Sequence, residues 1–332
     1  MIRGSSFFHL LVLFFAACVV LVTAPFVGMD LISPSQLFNN SLQTTIFFTL
    51  RVPRVLAAFI AGSGLALCGM MFQAMFRNPL ADPFTLGISS GASCGAAITI
   101  LMGMNGALFG LSYISIGAFC GAALSMAFVY ALSSLQRTAS NLTMLLSGIA
   151  ISFLFSSILM FMQYISSLRD SFHIVRWLMG GIEIFGYQQI LSMLPFVVTG
   201  MIIVLLKLPE LDHLLTGDDL AKSRGVRVGL TKNLLLLAAT LIVGSIVAVC
   251  GPIGFVGLMT PHICKMLFKT RHTVLGPASF LAGGIFLVLC DTAARVVIAP
   301  AEMPVGVITA LFGGPFFLWL LFMRKAKGIS LD

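Results

Sequence analysis

Asn233-Leu-Leu-Leu-Leu-Ala-Ala-Thr-Leu-Ile-Val-Gly-Ser-Ile-Val-Ala-Val-Cys250 contains no charged residue, and its few polar side chains are small. The hydrocarbon core of a bilayer is about 30 Å thick, and a helix needs roughly 20 mostly apolar residues to cross it. Runs of this kind recur near 7–29, 53–76, 84–104, 109–134, 142–166, 188–207, 233–250, 254–268, 274–298 and 305–323. Membrane strands are about ten residues long and alternate in polarity, whereas these runs are continuous. An all-α polytopic membrane protein of about ten transmembrane helices is therefore the predicted fold class.

The composition agrees. Hydrophobic residues make up 59% of the 332 positions and charged ones 9%, far below the charged share of a soluble domain. The formal net charge is +8, but the basic residues sit singly at the ends of apolar runs instead of forming a patch, so no nucleic-acid partner is expected. Cys18, Cys68, Cys94, Cys120, Cys250, Cys264 and Cys290 mostly lie alone in apolar runs without metal-ligand or redox spacing, and are read as packing residues. The first run is too long for a cleaved signal peptide and continues past the faintly lipoprotein-like Phe15-Ala-Ala-Cys18, so it is expected to be the first span.

Topology follows from the cations. With the N-terminus inside, Arg3, Arg77, Arg137, Lys207, Lys222, Arg224, Arg227, Lys232, Lys265, Lys269, Arg271, Arg324, Lys325 and Lys327 fall on the inner side, fourteen of nineteen. Only Arg51, Arg54, Arg169, Arg176 and Arg295 remain outside, so the positive-inside rule places both termini in the cytoplasm. The chain reads as one permease domain over 1–332, whose main cytoplasmic feature is the polar loop at about 209–232. Within it, Gly217-Asp218-Asp219-Leu220-Ala221-Lys222-Ser223-Arg224-Gly225 has acidic residues first, basic residues last and a glycine at the cap. That order predicts one short helix suited to docking a partner.

The third and eighth runs are broken by small residues: Pro79, Pro83, Gly87, Gly91 and Gly95 in one, Gly251, Gly254, Gly257 and Pro261 in the other. They occupy matching positions if runs two to five and seven to ten are inverted halves. Paired interrupted spans point to a substrate path in transporters, and the same glycines also allow close helix packing. Asp291 and Arg295, one turn apart, are expected to pair, and His262 is read as a packing residue. The methionines and phenylalanines are first of all lipid-facing and core residues. No phosphate loop, zinc-protease motif or nucleophile elbow occurs, so no catalytic residue, metal or cofactor is assigned to the chain. If ATP drives transport, a separate polypeptide binds it.

Arg51-Val-Pro-Arg54, Gln73-Ala-Met-Phe-Arg-Asn-Pro-Leu-Ala-Asp-Pro-Phe-Thr-Leu-Gly87, Gly251-Pro-Ile-Gly-Phe-Val-Gly-Leu-Met-Thr-Pro-His262 and Glu302-Met-Pro-Val-Gly306 with Thr309 and Gly313-Gly-Pro315 closely resemble the FecCD/BtuC permease family. These are permeases of type II ABC importers for iron-siderophores, haem and cobalamin. The resemblance implies ten helices per subunit and a homodimeric or pseudo-dimeric permease, and a twofold homodimer with a second permease copy is the expected assembly. It implies ABC ATPase subunits that bind ATP and Mg, and a periplasmic or lipid-anchored binding protein at the bacterial or archaeal inner membrane. It assigns Gly217–Gly225 to ATPase coupling, Arg51, Arg54 and Arg295 to binding-protein docking, and Asn78, Leu80 and Asn141 to a cytoplasmic gate. Docking also has a physical motive, since a guanidinium fork matches a partner's carboxylate, while snorkelling to lipid phosphate is the alternative. A secondary transporter driven by an ion gradient is the competing function. It would call for ionisable groups at mid-membrane, and here they gather at span ends.

Overall fold

A computed structural model describes residues 2–28, 30–39, 41–104, 106–108, 110–134, 141–268 and 271–326. Arg137, Ser140, Lys269 and Lys327 lie outside the described residues. The order is α1 (Ile2–Thr23), the short α2 (Pro34–Asn39) and α3 (Ser41–Ile46), a π turn Phe47–Arg51, then α4 (Val52–Met75), α5 (Ile88–Leu101), α6 (Tyr113–Ser134) and α7 (Asn141–Ile165). There follow α8 (Leu168–Leu178), α9 (Gln188–Leu214), α10 (Asp218–Ser223), α11 (Val228–Cys250), α12 (Val256–Phe268), α13 (His272–Val296) and α14 (Val305–Ala326). Between α5 and α6 a small hairpin pairs Ala107 with Ser112 and Leu108 with Leu111. Among the described residues seven helices are long and apolar enough to cross a membrane, and α5, α12 and α14 are shorter apolar helices. Together they account for the ten predicted spans.

α4 is the axis of the bundle and packs on α9, α11, α12 and α13. Its core-facing residues are small, and at two crossings the backbones touch. A Cβ on Gly69 would lie 1.7 Å from the Gly257 carbonyl of α12, and one on Gly62 would lie 2.2 Å from the Gly283 carbonyl of α13. Lipid supplies no hydrophobic drive between helices, so contact through small residues does the work of association. α5 and α6 meet the same way through Gly91 against Gly121 and Gly95 against Gly117. Hydroxyls inside the spans turn back on their own helices: Thr240 donates to Leu236, Ser245 to Leu241 and Thr260 to Val256. Each is thereby satisfied without water.

The expected inversion is visible in chain direction. α4 carries Arg54 in its first turn and ends beside Asn141, which donates to the Met75 carbonyl, while α11 begins beside the same Asn141 through Lys232. α4 packs on α12 and α13, and α11 on α5 and α6, the equivalent pairs.

Several limits differ from the sequence reading, two of them with consequences for the site. α9 runs on from 207 to Leu214 because Leu211 and Leu214 are buried, and Glu210 bonds Lys207 at 2.6 Å as well as Thr231. These contacts outweigh Pro209 inside the helix. The polar loop thus shrinks to the stretch around α10. α8 was not anticipated, although Ser167 caps it by accepting from the Asp170 amide at 3.1 Å, and Leu168, Phe172, Val175 and Met179 share one exposed face.

Candidate transport surface and its charged poles

Arg54 and Met75 mark the two ends of α4, roughly 32 Å apart at 1.5 Å per residue. Most ionisable groups gather at these two poles, while Asp82 is buried beside Gly257 between them.

At the first pole Asp291 is wholly buried, and its carboxylate accepts from Arg54 Nε at 3.0 Å and forms an ion pair with Arg295 Nε at 3.1 Å. Arg54 also donates to Glu302 at 2.7 Å, and Arg295 to the Val27 carbonyl at 3.0 Å. The expected pairing of Asp291 with Arg295 is therefore present, with Arg54 as a third member. Arg51 donates to the carbonyls of Pro25, Phe26 and Asp30. All three arginines expected to dock a binding protein are thus engaged within their own chain, and Arg295 is 5% exposed. The reason is local electroneutrality: a guanidinium at a span end is matched first by carboxylates and carbonyls of its own chain. Glu302 and the Arg176–Glu183 pair, 2.8 Å apart, are among the charges displayed outward. Hydrogen bonding and charge from Glu183 hold Arg176 above the usual guanidinium range. A cavity of about 960 Å³ opens here between Arg54, His173, Arg176, Glu183 and Glu302, and reaches down to Cys250 and Gly251.

Immediately beyond Gly251 the two interrupted spans converge. Phe84, in the 3-10 turn before α5, and Pro252 and Gly254, before α12, line one open apolar concavity of about 530 Å³ with Met179, Gly306, Ala310 and Leu311. Irregular backbone at membrane depth is tolerated where it is buried or lines a cavity. The amides are accounted for: Gly181 donates to Cys250, Gly306 to Gly180, and Asp82 caps its turn through Phe84. Phe255 adopts φ 68°, strained for an aromatic residue, and its ring fills the notch left by Gly313. The glycines of both broken spans other than Gly254 thus serve close packing, and the breaks themselves shape the concavity. His262 is buried with its ring edge-on to Phe316, as a packing residue would be.

The second pole holds α10. Gly217 at φ 112° and Gly225 at φ 85° bracket it, Asp218 and Asp219 occupy its first turn and Lys222 its last. Ala221 is buried beneath, while Asp219, Leu220 and Lys222 face outward. The gate candidates meet at this pole. Asn78 accepts from the Leu80 amide at 2.9 Å, Leu80 is 52% exposed, and Asn141 holds the Met75 carbonyl at 2.9 Å, three residues before Asn78. Asp212 ties the end of α9 to the start of α13, bonding His272 Nδ1 at 2.6 Å. Lys232 was noted in the sequence only as an inner-side cation, yet it bridges Asn141 and Asp218. No group of three or more potential metal ligands occurs among the described residues.

A ten-span helical body with inverted halves, a concavity between broken helices and a capped helix displayed at one pole defines a polytopic membrane permease. The chain belongs to the FecCD transport family, whose model matches residues 10–323. It is 37% identical over 301 residues to the cobalamin import system permease protein BtuC of Halobacterium salinarum, covering 90% of this chain and 79% of that one. It is 38% identical over 291 residues to the hemin transport system permease protein HmuU of Yersinia pestis, covering 87% and 86%. A solved metal-chelate type ABC transporter in an inward-facing conformation superposes with a TM-score of 0.85 at 31% identity, covering 95% of this chain and 98% of that one.

Proposed function

We propose that this chain is the permease subunit of an ATP-driven importer that moves a metal chelate, such as an iron-siderophore or haem, or cobalamin into the cytoplasm. The observation that carries the reading is α10, a glycine-bracketed helix that buries only Ala221, displays Leu220 at a charged pole and is tied to the gate candidates. An exposed apolar side chain among charges suits a partner's groove, here that of a separate ATPase subunit binding ATP and Mg. Membrane relatives named for cobalamin and hemin import support the substrate class.

The pole of Arg54 then faces outward, with both termini in the cytoplasm, as the distribution of cations requires. Binding-protein docking falls to this outer pole. Arg51 and Arg54 stay near its surface, and Arg295 acts from beneath by fixing Asp291. Substrate released there meets the 960 Å³ cavity first and the apolar concavity beyond Gly251 next. Because that concavity is open on one side, a second copy related by a twofold axis would complete the passage with the same residues. Ionisable groups concentrated at the poles and a mainly apolar surface between them, with the buried Asp82 engaged in capping the turn before α5, favour a passive path moved by ATP over an ion-coupled carrier.

The test is reconstitution of the permease with its ATPase subunits and binding protein in liposomes. ATP-dependent accumulation of haem, a ferric siderophore or cobalamin supports the importer; uptake that follows an imposed ion gradient without ATP refutes it.

A further inference from the structure

Lys232 lies in the first turns of α11, where the helix dipole disfavours a cation. Its side chain is nevertheless only 6% exposed. The ammonium donates to Asn141 Oδ1 at 2.6 Å and to Asp218 Oδ2 at 2.5 Å. Asn141, the first residue of α7, donates in turn to the carbonyl of Met75, the last residue of α4. One buried ammonium therefore joins α10, α11 and α7, and through Asn141 reaches the turn that carries Asn78 and Leu80. On the other flank, a Cβ on Gly217 would lie 3.6 Å from Nη1 of Arg77. Arg77 has φ 54°, a conformation that non-glycine residues rarely adopt, so the backbone of this turn is strained. Asp218 Oδ1 is buried without a hydrogen-bond partner among the described residues, so Lys232 carries the attachment of that carboxylate.

We infer that Lys232 is the positioning residue that transmits displacement of α10 to the 76–80 turn. The inference rests on the importer reading above. An exposed ion pair breaks and re-forms at little cost and transmits nothing, as the Lys222–Asp219 pair on the outer face of α10 illustrates with its lysine 62% and its aspartate 98% exposed. The Lys232–Asp218 pair, with its lysine 6% and its aspartate 28% exposed, is far more sheltered and costs more to separate. Under load from a partner, Asp218, Lys232 and Asn141 move together, and the Met75 carbonyl follows.

The experiment uses the permease assembled with its ATPase subunits, with all seven cysteines replaced and Leu80→Cys as the reporter. Labelling by a membrane-impermeant maleimide is measured in inside-out vesicles with and without Mg-ATP and vanadate. In the unmodified background nucleotide should change the labelling rate by about tenfold, an ordinary size for coupling between two sites. Lys232→Met should reduce that response to less than about twofold, and adding Asp218→Asn should reduce it no further, because both changes cut the same connection. Lys265→Met removes an exposed inner-side cation without touching the chain of bonds, and should leave the response whole. If Lys232→Met lowers the yield of folded permease, the exchanged pair Lys232→Asp with Asp218→Lys keeps one cation and one carboxylate in the gap and should restore the response. A folded exchanged pair without a response, or a response that survives Lys232→Met, overturns the inference alone. An unmodified permease that neither copurifies with an ATPase nor responds to nucleotide overturns the importer reading together with it.

Discussion

Asp291 shows how one residue sets the character of a pole. Its carboxylate is wholly buried between Arg54 and Arg295, and removing it leaves Arg295 without its counter-charge and Arg54 with only the exposed Glu302. Loss of one partner from a buried ion pair costs about 3–5 kcal/mol. Asp291→Ala should therefore lower the thermal midpoint of the detergent-solubilised protein well beyond Arg176→Glu, a change at an exposed site; equal midpoints would show that Asp291 is not a keystone. For the same reason, charge reversal at Arg295 should act first on stability. Reversal of the exposed Arg176 should act on binding-protein affinity and fade as salt rises, since surface charges are screened. The Asp291–Arg295 spacing of one turn was legible in the sequence. The third member was not, because Arg54 is 237 positions away from Asp291.

Among the elements, the crossing of α4 and α12 admits no side chain at Gly69, where a Cβ would lie 1.7 Å from a carbonyl oxygen. Gly69→Ala should abolish accumulation of folded protein in the membrane, whereas Gly254→Ala, with nothing within 4 Å of the new Cβ, should accumulate normally. Comparable yields of the two variants by fluorescence-detected size exclusion would contradict this packing. At α10 the surface chemistry can be separated from the fold. Leu220→Asp should leave the permease intact and weaken ATPase association by at least about tenfold, the loss expected when a buried anchor becomes a charge, and copurification at the unmodified ratio would exclude Leu220 as the anchor. α10 was legible because caps and charge order are local signals. α8 carried similarly local signals, Ser167 three residues before Asp170 and an apolar residue every three to four positions, but it is amphipathic and too short to register as a span.

For the molecule as a whole, the open concavity and the exposed Leu80 lead to a prediction about assembly. Leu80→Cys in the background without native cysteines should crosslink between two copies when the passage is closed on the cytoplasmic side, and nucleotide bound by the ATPase should change the yield; a transporting monomer would refute the twofold arrangement. Reporters placed after Met1 and at the C-terminus should both read as cytoplasmic, and an external C-terminus would reverse the assignment of the poles. The number of spans, their approximate limits, the expected side of the cations and the short helix at Gly217–Gly225 were determined by the sequence alone, because hydropathy, charge and capping act over one span or one turn. Only the tertiary structure decided that Arg54 joins Asp291 and Glu302, that α9 continues to Leu214, that the two broken spans open onto one concavity, and that Lys232 ties α10 to Asn141. Those features depend on which helices lie side by side, and in this bundle that choice follows from backbone contact at Gly62, Gly69, Gly257 and Gly283, residues whose partners are distant in the chain and leave no periodic mark in it.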